Sequence, residues 1–250
     1  MGAGAGAEAG TGAEADGPEA DGPEADEPEA DAPGAQAPEG DGGGLPDPDD
    51  AWADVTPDAA RRLLVAAIEA FAERGYHATT TRDIASRAGM SPAALYIHYR
   101  TKEELLFQIS KVGHQRALAL LEGAAGAGAG DASPAERLGA LVRAFVRWHA
   151  ERHTTARVVQ YELHALSEEH YAEVAGLRRA TEQVVRQVIE DGVAAGDFDV
   201  ADVPGAALAV LSLCIDVARW FSVGGRRTPE EVGDLYADLV LRMVRPERAG

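Results

Sequence analysis

The side chains best suited to specific chemistry lie in one short segment, residues 80–106. This segment combines threonine and serine hydroxyls with arginine, lysine, histidine and tyrosine side chains, all of which can donate hydrogen bonds to phosphates or to base edges. The sequence shows no carboxylate dyad, no nucleophile paired with a base and no glycine-rich phosphate loop. We therefore expect recognition of a partner, and we do not expect an enzyme.

Local signals in this segment predict where its helices begin and end. Thr80 precedes a helical pattern with Asp83 three residues on, so each side chain can accept a hydrogen bond from the other's backbone. Gly89 stands where the first short helix must stop, and Ser91 caps the next one with Pro92 in its first position. Two short helices and a longer one from about residue 102 form a helix-turn-helix unit, whose second helix lies in the DNA major groove.

The order Thr-x-x-x-Ile-Ala-x-x-Ala-Gly-Met-Ser-x-x-x-Leu-Tyr-x-His-Tyr-x-x-Lys-Glu-x-Leu in residues 80–105 resembles the TetR/AcrR family of bacterial transcriptional regulators. The resemblance covers about residues 58–107, and the remainder fits the family by length and pattern. It implies an all-α fold, with an N-terminal three-helix DNA-binding domain and a C-terminal helical bundle for ligand binding and dimerisation. The implied function is a ligand-responsive regulator, a homodimeric repressor that a small apolar effector releases from a palindromic operator.

The resemblance implies nine DNA-binding residues: Thr81, Arg82, Ser91, Pro92, Ala93, Ala94, Tyr96, His98 and Lys102. The first two meet the DNA backbone and a groove edge, and the next four face base edges, where the alanines can offer only apolar contact, for instance to a thymine methyl group. The last three match phosphate-contacting positions. Three alternatives remain open: a core aromatic for Tyr96, a capping or solvent-facing residue for His98 and a surface charge for Lys102.

Composition separates an acidic N-terminal tail from the rest of the chain. Residues 1–50 hold 15 acidic residues and no Lys or Arg, and Glu-Ala-Asp-x-Pro recurs four times between Glu14 and Pro33. Proline at every fifth position blocks both helix and strand, so we expect disorder here. The tail accounts for most of the net charge of −19 and leaves −4 for the other residues. It can serve as a solvating extension, compete with DNA phosphates or recruit a protein.

The predicted organisation has three parts: a disordered acidic tail at 1–55, a helix-turn-helix DNA-binding domain at 56–102 and a helical effector-binding and dimerisation domain at 103–246. A flexible break is expected in the Gly-Ala stretch at 123–130. Outside the two short helices of the motif, helices are expected at about 58–74, 102–122, 155–166, 168–192, 202–222 and 228–244. Another is expected to begin at Ser133-Pro134 and keeps a helical apolar spacing through Trp148.

Several features of the sequence favour a cytoplasmic protein. The N-terminus lacks the positive and apolar regions of a signal peptide. The single cysteine, Cys214, excludes an intrachain disulfide and suits a reducing compartment. The apolar run near 203–215 ends at Asp216 and Arg219, so it is interpreted as a buried helix. We expect no membrane partner and no cofactor.

A second copy of the chain is the expected protein partner, because one recognition helix reads only a few base pairs and two half-sites require a dimer. The resemblance implies that helices 202–222 and 228–244 form the dimer interface, and a wholly intramolecular apolar stripe is the alternative. The predicted interface residues follow a helical spacing: Val232, Leu235, Tyr236, Leu239, Val240 and Met243.

Polar and aromatic residues interrupt the apolar pattern of the C-terminal helices. A polar group on a buried helix must be paired or line a cavity, so these residues are candidates for an effector pocket. Satisfied core pairs are the alternative, and Asp216 and Arg219 can pair with each other. The candidate pocket residues are Trp148, His149, Tyr161, His164, Arg178, Arg219 and Trp220.

Residues 161–166 and 177–179 resemble regulators of fatty-acid or sterol breakdown, which implies an acyl-CoA or similar lipid thioester with Arg178 or Arg219 at its phosphate or carboxylate. His149 and His153 have a spacing that can hold a metal ion, but Ala150 stands where the zinc-protease pattern needs Glu, and we predict no metal site. The alternative from another class is a scaffold or architectural DNA-associated protein that acts through its acidic tail.

Overall fold

The regular structure of the protein is helical throughout the residues that our computed structural model describes, 52–126 and 132–245. Residues 1–51 of the predicted tail and the end of the Gly-Ala stretch, for which we predict disorder and a flexible break, lie outside the described residues. Residues 52–55, which the predicted tail includes, are described, and Trp52 is buried in a hydrophobic core, so the predicted disordered segment must end before it. A short 3-10 turn at Leu163–Ala165 follows the sixth helix. The helices are α1 (Asp58–Arg74), α2 (Thr81–Arg87), α3 (Pro92–His98), α4 (Lys102–Gly126), α5 (Pro134–Glu151), α6 (His153–Tyr161), α7 (Glu168–Ala195), α8 (Val203–Trp220) and α9 (Pro229–Val244).

Side-chain caps confirm the predicted helix starts. The Thr80 hydroxyl accepts a hydrogen bond from the backbone of Asp83, whose carboxylate accepts one from the Thr80 N–H at 2.9 Å. Ser91 caps α3 through the Ala94 N–H, and Ser133 forms a reciprocal capping box at the start of α5. These caps satisfy backbone donors that a helix cannot pair within its first turn, so they fix where each helix begins.

Three helix ends differ from the predicted bounds. α4 does not stop near Glu122 but continues through Gly126, because Ala125 packs in the core of the C-terminal domain and its carbonyl accepts a hydrogen bond from Arg137 at 3.1 Å. The predicted helix at 155–166 is α6 plus the 3-10 turn. α7 passes Gly192 and stops after Ala195, where Gly196 takes the left-handed conformation with φ 78°.

Gly192 permits a close approach of two segments instead of ending α7. A Cβ atom at this position would lie 2.0 Å from the Phe198 ring, which is buried against the end of α7. The N–H groups of Asp197 and Phe198 both donate to the Gly192 carbonyl, at 2.9 and 3.1 Å. The ring is thereby held against the bare helix surface, which only glycine provides.

The first hydrophobic core joins α1, α2 and α3 to the beginning of α4. Ile84 and Leu95 are fully buried in it, and Ile109 of α4 belongs to the same cluster. Val158 and Val159 of α6 also pack into this cluster. Two helices from the C-terminal part of the chain therefore complete the core of the helix-turn-helix unit.

The second core fills the C-terminal bundle of α4, α5, α7, α8 and α9. α5 contacts each of the other four helices. α8 is long and apolar enough to cross a membrane by those two criteria alone, yet Val210, Cys214 and Val217 on its inner face are fully buried in this core. Its packing identifies α8 as a core helix of the bundle.

Gly192→Ala is expected to lower the free energy of unfolding by about 1–3 kcal/mol, because the new methyl group and the Phe198 ring cannot both keep their positions. Gly176→Ala in the same helix is the matched control, since a Cβ atom there meets only an Arg179 nitrogen at 3.9 Å. The control should gain about 0.5–1 kcal/mol through helix propensity. Urea unfolding measures both changes, and equal effects would contradict the packing role of Gly192.

Candidate DNA-binding surface and effector cavity

The recognition helix α3 exposes a small, largely apolar surface. Leu95 is fully buried and anchors the helix to the core, whereas Pro92 and Ala93 are exposed and Ala94 is partly exposed. Ile97, which the predicted set of DNA contacts omits, is 79% exposed and lies in the last turn of α3. This helix can therefore offer bases mainly apolar contacts, of the kind a thymine methyl group accepts.

Thr81 and Tyr96 connect the two helices of the helix-turn-helix unit. Their hydroxyl oxygens lie 3.1 Å apart, so one hydroxyl donates to the other across the junction of α2 and α3. Tyr96 is 51% exposed, which contradicts the alternative of a core aromatic. Its phenol is placed on the same exposed surface as the start of α2, where a phosphate could receive its hydrogen bond.

Lys102 is held against the loop between α1 and α2. Its Nζ donates to the carbonyl oxygens of Tyr76 and Thr79, both at 2.7 Å, and lies 4.1 Å from the centre of the Tyr76 ring. Partial burial lowers the pKa of this ammonium group. Lys102 is thus more than a surface charge: it ties the start of α4 to the loop before α2 and keeps a third N–H for another acceptor.

The positive charge of this surface comes from a subset of its cations. Arg82 and Arg100 are exposed, and His98 is partly exposed at the end of α3. Arg87, by contrast, donates to the carboxylates of Glu69 and Glu73 on α1. Because Arg87 is paired with these carboxylates, its charge is largely neutralised. Arg82, Arg100 and Lys102 are the candidate cations for phosphate contacts.

A cavity of about 330 Å³ lies in the C-terminal domain, with walls from α4, α5, α6, α7 and α8. Phe145, Leu211 and Ile215 belong to its apolar lining. Arg178 and Arg179 of α7 also border it and are exposed to solvent. The charged residues of the lining are thus two arginines and one carboxylate, Glu182, which leaves a net positive charge beside a largely apolar wall. That combination suits a ligand with an apolar body and an acidic end.

Three of the predicted pocket residues, Trp148, His149 and Arg178, line this cavity. Sequence reasoning missed eight polar lining residues: His114, Thr155, Gln160, Tyr171, Arg179, Thr181, Glu182 and Ser212. His114 left a usable signal, because a lone histidine interrupts an otherwise apolar face of α4. The Gln160 side-chain oxygen accepts a hydrogen bond from Arg178 at 3.0 Å, which links α6 to α7 at the solvent edge of the cavity.

The structure places the other four predicted pocket residues outside this cavity. Tyr161 and Trp220 are exposed, at 54% and 44%. Arg219 donates to Asp216 at 2.7 and 3.0 Å, which is the pairing that the sequence leaves open as an alternative. His164 is exposed in the 3-10 turn. Helical spacing shows that these residues interrupt an apolar pattern, but it does not show which of them face a gap between neighbouring helices.

The two histidines of the cavity wall are buried and neutral. His149 is 3% exposed and His114 is 7% exposed. Burial lowers the pKa of each imidazole to about 4, although a backbone carbonyl at its Nδ1 opposes this effect. His153, one turn beyond His149, packs instead against Phe221, with the ring centres 5.7 Å apart. In the two described ranges, no three His, Cys, Asp or Glu residues are grouped to hold a metal ion.

Direct contacts connect the cavity to the DNA-binding domain. Val159 lines the cavity and also belongs to the hydrophobic core of the helix-turn-helix unit. Glu162, just after α6, accepts a hydrogen bond from the Tyr76 N–H at 3.1 Å, in the loop that Lys102 also holds. On the other side, Glu103 of α4 lies 2.8 Å from Nδ1 of His170 on α7. A displacement of α4 or α6 therefore cannot leave the helix-turn-helix unit unchanged.

The last two helices carry the exposed apolar residues expected of an interface. Leu239 and Met243 of α9 are about half exposed, and Leu235 and Tyr236 are partly exposed. The Tyr236 ring lies 6.4 Å from that of Trp220, which extends this surface onto α8. Two residues of the predicted interface have another role: Val232 and Val240 are fully buried in the core of their own chain and are not accessible to a partner.

Comparison with known proteins identifies the family. The description "Bacterial regulatory proteins, tetR family" matches residues 63–109, and "Tetracyclin repressor-like, C-terminal domain" matches residues 131–244. The chain belongs to the TetR family. The transcriptional repressor KstR2 of Mycolicibacterium smegmatis is 30% identical over 191 residues, which cover 73% of this chain and 90% of KstR2.

Two solved TetR-family structures support the assignment. A regulatory protein from Rhodococcus RHA1 is 48% identical, with a TM-score of 0.72, and the match covers 77% of this chain and all of that one. The ketosteroid transcriptional regulator KstR2 of Mycobacterium tuberculosis is 28% identical, with a TM-score of 0.69 over 77% of this chain and 97% of that one. This TetR-family chain is therefore a DNA-binding transcriptional regulator, with α1–α3 as its DNA-binding unit.

The cavity histidines should make the stability of this regulator depend on pH. Their pKa values of about 4 lie below the ordinary histidine value of 6.5. As the pH falls, the unfolded chain therefore binds protons before the folded one does. The stability that these rings contribute is fully present above pH 6.5 and is lost as the pH falls toward 4. Between about pH 7 and about pH 5.5, each ring should account for a loss of about 1 kcal/mol.

Urea unfolding at the two pH values measures this loss. His149→Phe should reduce the difference between them, whatever its effect on stability at neutral pH. His164→Phe removes an exposed imidazole outside the cavity and should keep the wild-type difference. A wild-type protein that is equally stable at both pH values would contradict the burial of two neutral imidazoles.

Proposed function

We propose that the protein is a homodimeric repressor that leaves a palindromic operator when a small effector fills the α4–α8 cavity. The observation that carries the proposal is the double role of Val159, which lines the cavity and packs in the core of the DNA-binding unit. A ligand that changes the position of α6 must also change the packing of the DNA-binding unit α1–α3. Coupling requires that the ligand bind the two arrangements with different affinity, and about 1–3 kcal/mol is ordinary.

The effector that suits the cavity has an apolar body and an anionic end, as in an acyl-CoA. The apolar lining favours a hydrocarbon body, and the exposed Arg178 and Arg179 provide donors for phosphate or carboxylate. A volume of about 330 Å³ is at the small end of ordinary ligand pockets. The similarity to KstR2, a ketosteroid transcriptional regulator, supports a lipid-derived effector.

DNA recognition in this proposal combines few base contacts with several phosphate contacts. Ser91 to Ala94 and Ile97 form the surface that faces bases, and Thr81, Arg82, Tyr96, His98 and Lys102 are the candidates for the backbone and the groove edge. Because the exposed residues of α3 are mainly apolar, much of the specificity must come from Arg82 and from the shape of the DNA.

Dimerisation allows two DNA-binding units to bind one operator. The exposed Leu239 and Met243 of α9, with Trp220 of α8, form an apolar surface that a second copy can cover. In a two-fold dimer the same surface of each copy meets its counterpart, so a single patch is enough. The DNA target also implies a cytoplasmic location, and the proposed role of the cavity is ligand binding without catalysis.

Selection of bound sequences from a random DNA pool tests the proposed function. The full-length protein should enrich a palindromic motif with two half-sites one helical turn or a multiple of it apart. The affinity for that motif should fall steeply as salt rises, because several phosphates are contacted. Failure to enrich any motif would overturn the proposal.

Tyr96→Phe should weaken binding to the selected operator about tenfold, because it removes one hydroxyl that reaches a phosphate. Tyr161→Phe is the matched control: it is the same chemical change at a tyrosine of similar exposure outside the DNA surface. Fluorescence anisotropy with labelled operator measures both affinities. Equal affinity of the two variants would remove Tyr96 from the DNA-binding set.

Leu239→Glu should convert the dimer to a monomer, because it puts a charge into the centre of an apolar interface. Val193→Glu makes the same change at an exposed valine on α7, away from α8 and α9, and should leave the dimer intact. Sedimentation velocity distinguishes the two species. A Leu239→Glu protein that remains a dimer would contradict the proposed interface.

A further inference from the structure

The cavity wall contains two polar side chains that are more than nine-tenths buried and lack a protein partner on one side. His114 reaches the wall from α4 and His149 from α5. Within the described ranges, the Nε2 atom of neither ring has a hydrogen-bond partner in the protein. Neither Nε2 atom is among the fully enclosed polar atoms without a partner, so both are open to the space of the cavity, and what fills the cavity can hydrogen-bond to them.

The backbone fixes which nitrogen of each ring carries the hydrogen. Nδ1 of His114 lies 2.8 Å from the Ser110 carbonyl oxygen, and Nδ1 of His149 lies 2.8 Å from that of Phe145. A carbonyl oxygen can only accept, so Nδ1 must be the donor in both rings. Because burial lowers both pKa values to about 4, the rings are neutral near pH 7. A neutral ring with its hydrogen on Nδ1 presents a lone pair at Nε2.

A third buried residue of the wall has the same polarity. The Thr181 hydroxyl donates to the Leu177 carbonyl at 3.0 Å, so its oxygen can only accept a further hydrogen bond. Cationic donors are provided by Arg178 and Arg179, which border the cavity and are exposed. The nine-tenths-buried polar side chains of the wall, His114, His149 and Thr181, therefore present acceptors, whereas the arginines present charged donors to solvent.

We infer that the effector carries a hydroxyl group at its buried end, which donates to the Nε2 atom of His114 or of His149, while its anionic end meets Arg178 and Arg179. The ligand class is a hydroxylated acyl thioester, and this inference rests on the proposed function. A ketone or ether oxygen in the same position would face a lone pair and leave that imidazole unpaired. A site that accepts a hydrogen bond from a ligand hydroxyl binds analogues without that hydroxyl hydrogen much more weakly.

Three probes that differ only at the end of the chain test the inference: ω-hydroxydecanoyl-CoA, ω-methoxydecanoyl-CoA and decanoyl-CoA. Isothermal titration of the full-length protein should show at least about tenfold tighter binding of the hydroxylated probe than of either other probe. The ω-methoxy probe keeps the oxygen and lacks the hydrogen, so it separates hydrogen donation from polarity.

Two variants assign the preference to the imidazoles. His149→Phe and His114→Phe each keep a planar ring and remove one acceptor, so the variant at the ring that binds the hydroxyl should bind the three probes with nearly equal affinity. His153→Phe is the control, because that ring lies outside the cavity wall and the preference should persist.

The outcomes separate this inference from the proposed function. Equal binding of the three probes by the wild-type protein would overturn the hydroxyl requirement and leave an acyl-CoA cavity in place. A preference that persists in both phenylalanine variants would also overturn it. No binding of any probe would overturn the proposed effector class, and the inference with it.

Discussion

The position of α6 between the core of the helix-turn-helix unit and the cavity is the constraint on which the rest of the structure depends. Val158 and Val159 fill the hydrophobic core of the helix-turn-helix unit, and Val159 also forms part of the cavity wall. A three-helix unit with short α2 and α3 buries little apolar surface by itself, so α4 and α6 supply the remainder. The packing that stabilises the DNA-binding unit therefore also makes the position of this unit depend on what fills the cavity.

Polar contacts to the loop between α1 and α2 further couple the DNA-binding unit to α4 and α6. Lys102 at the start of α4 and Glu162 after α6 both bond to the backbone of Tyr76, by its carbonyl and its N–H respectively. Close packing does not deform continuously, so small shifts at the cavity favour discrete arrangements of this loop and of α2 behind it. The acceptor-lined interior then determines which ligands can select one arrangement.

Most of the fold could be predicted from the sequence, because its signals are local. The caps at Thr80, Ser91 and Ser133 fix helix starts through backbone bonds three residues away, and the structure contains each of them. The cavity could be predicted only in part, since its lining depends on which face of each helix meets a gap. Trp148 and His149 line the cavity, for example, whereas Trp220 does not. In the same way, the apolar stripe of α9 contains both the buried Val240 and the exposed Leu239.

Reciprocal coupling between cavity and operator is the most direct test of this account. The affinity for the selected operator is measured with and without saturating decanoyl-CoA, and the affinity for decanoyl-CoA with and without operator. The account predicts that both affinities fall by the same factor, about 5–150-fold, as linkage requires. Binding of decanoyl-CoA with no change in operator affinity would contradict it, because the shared packing of Val159 would then transmit nothing.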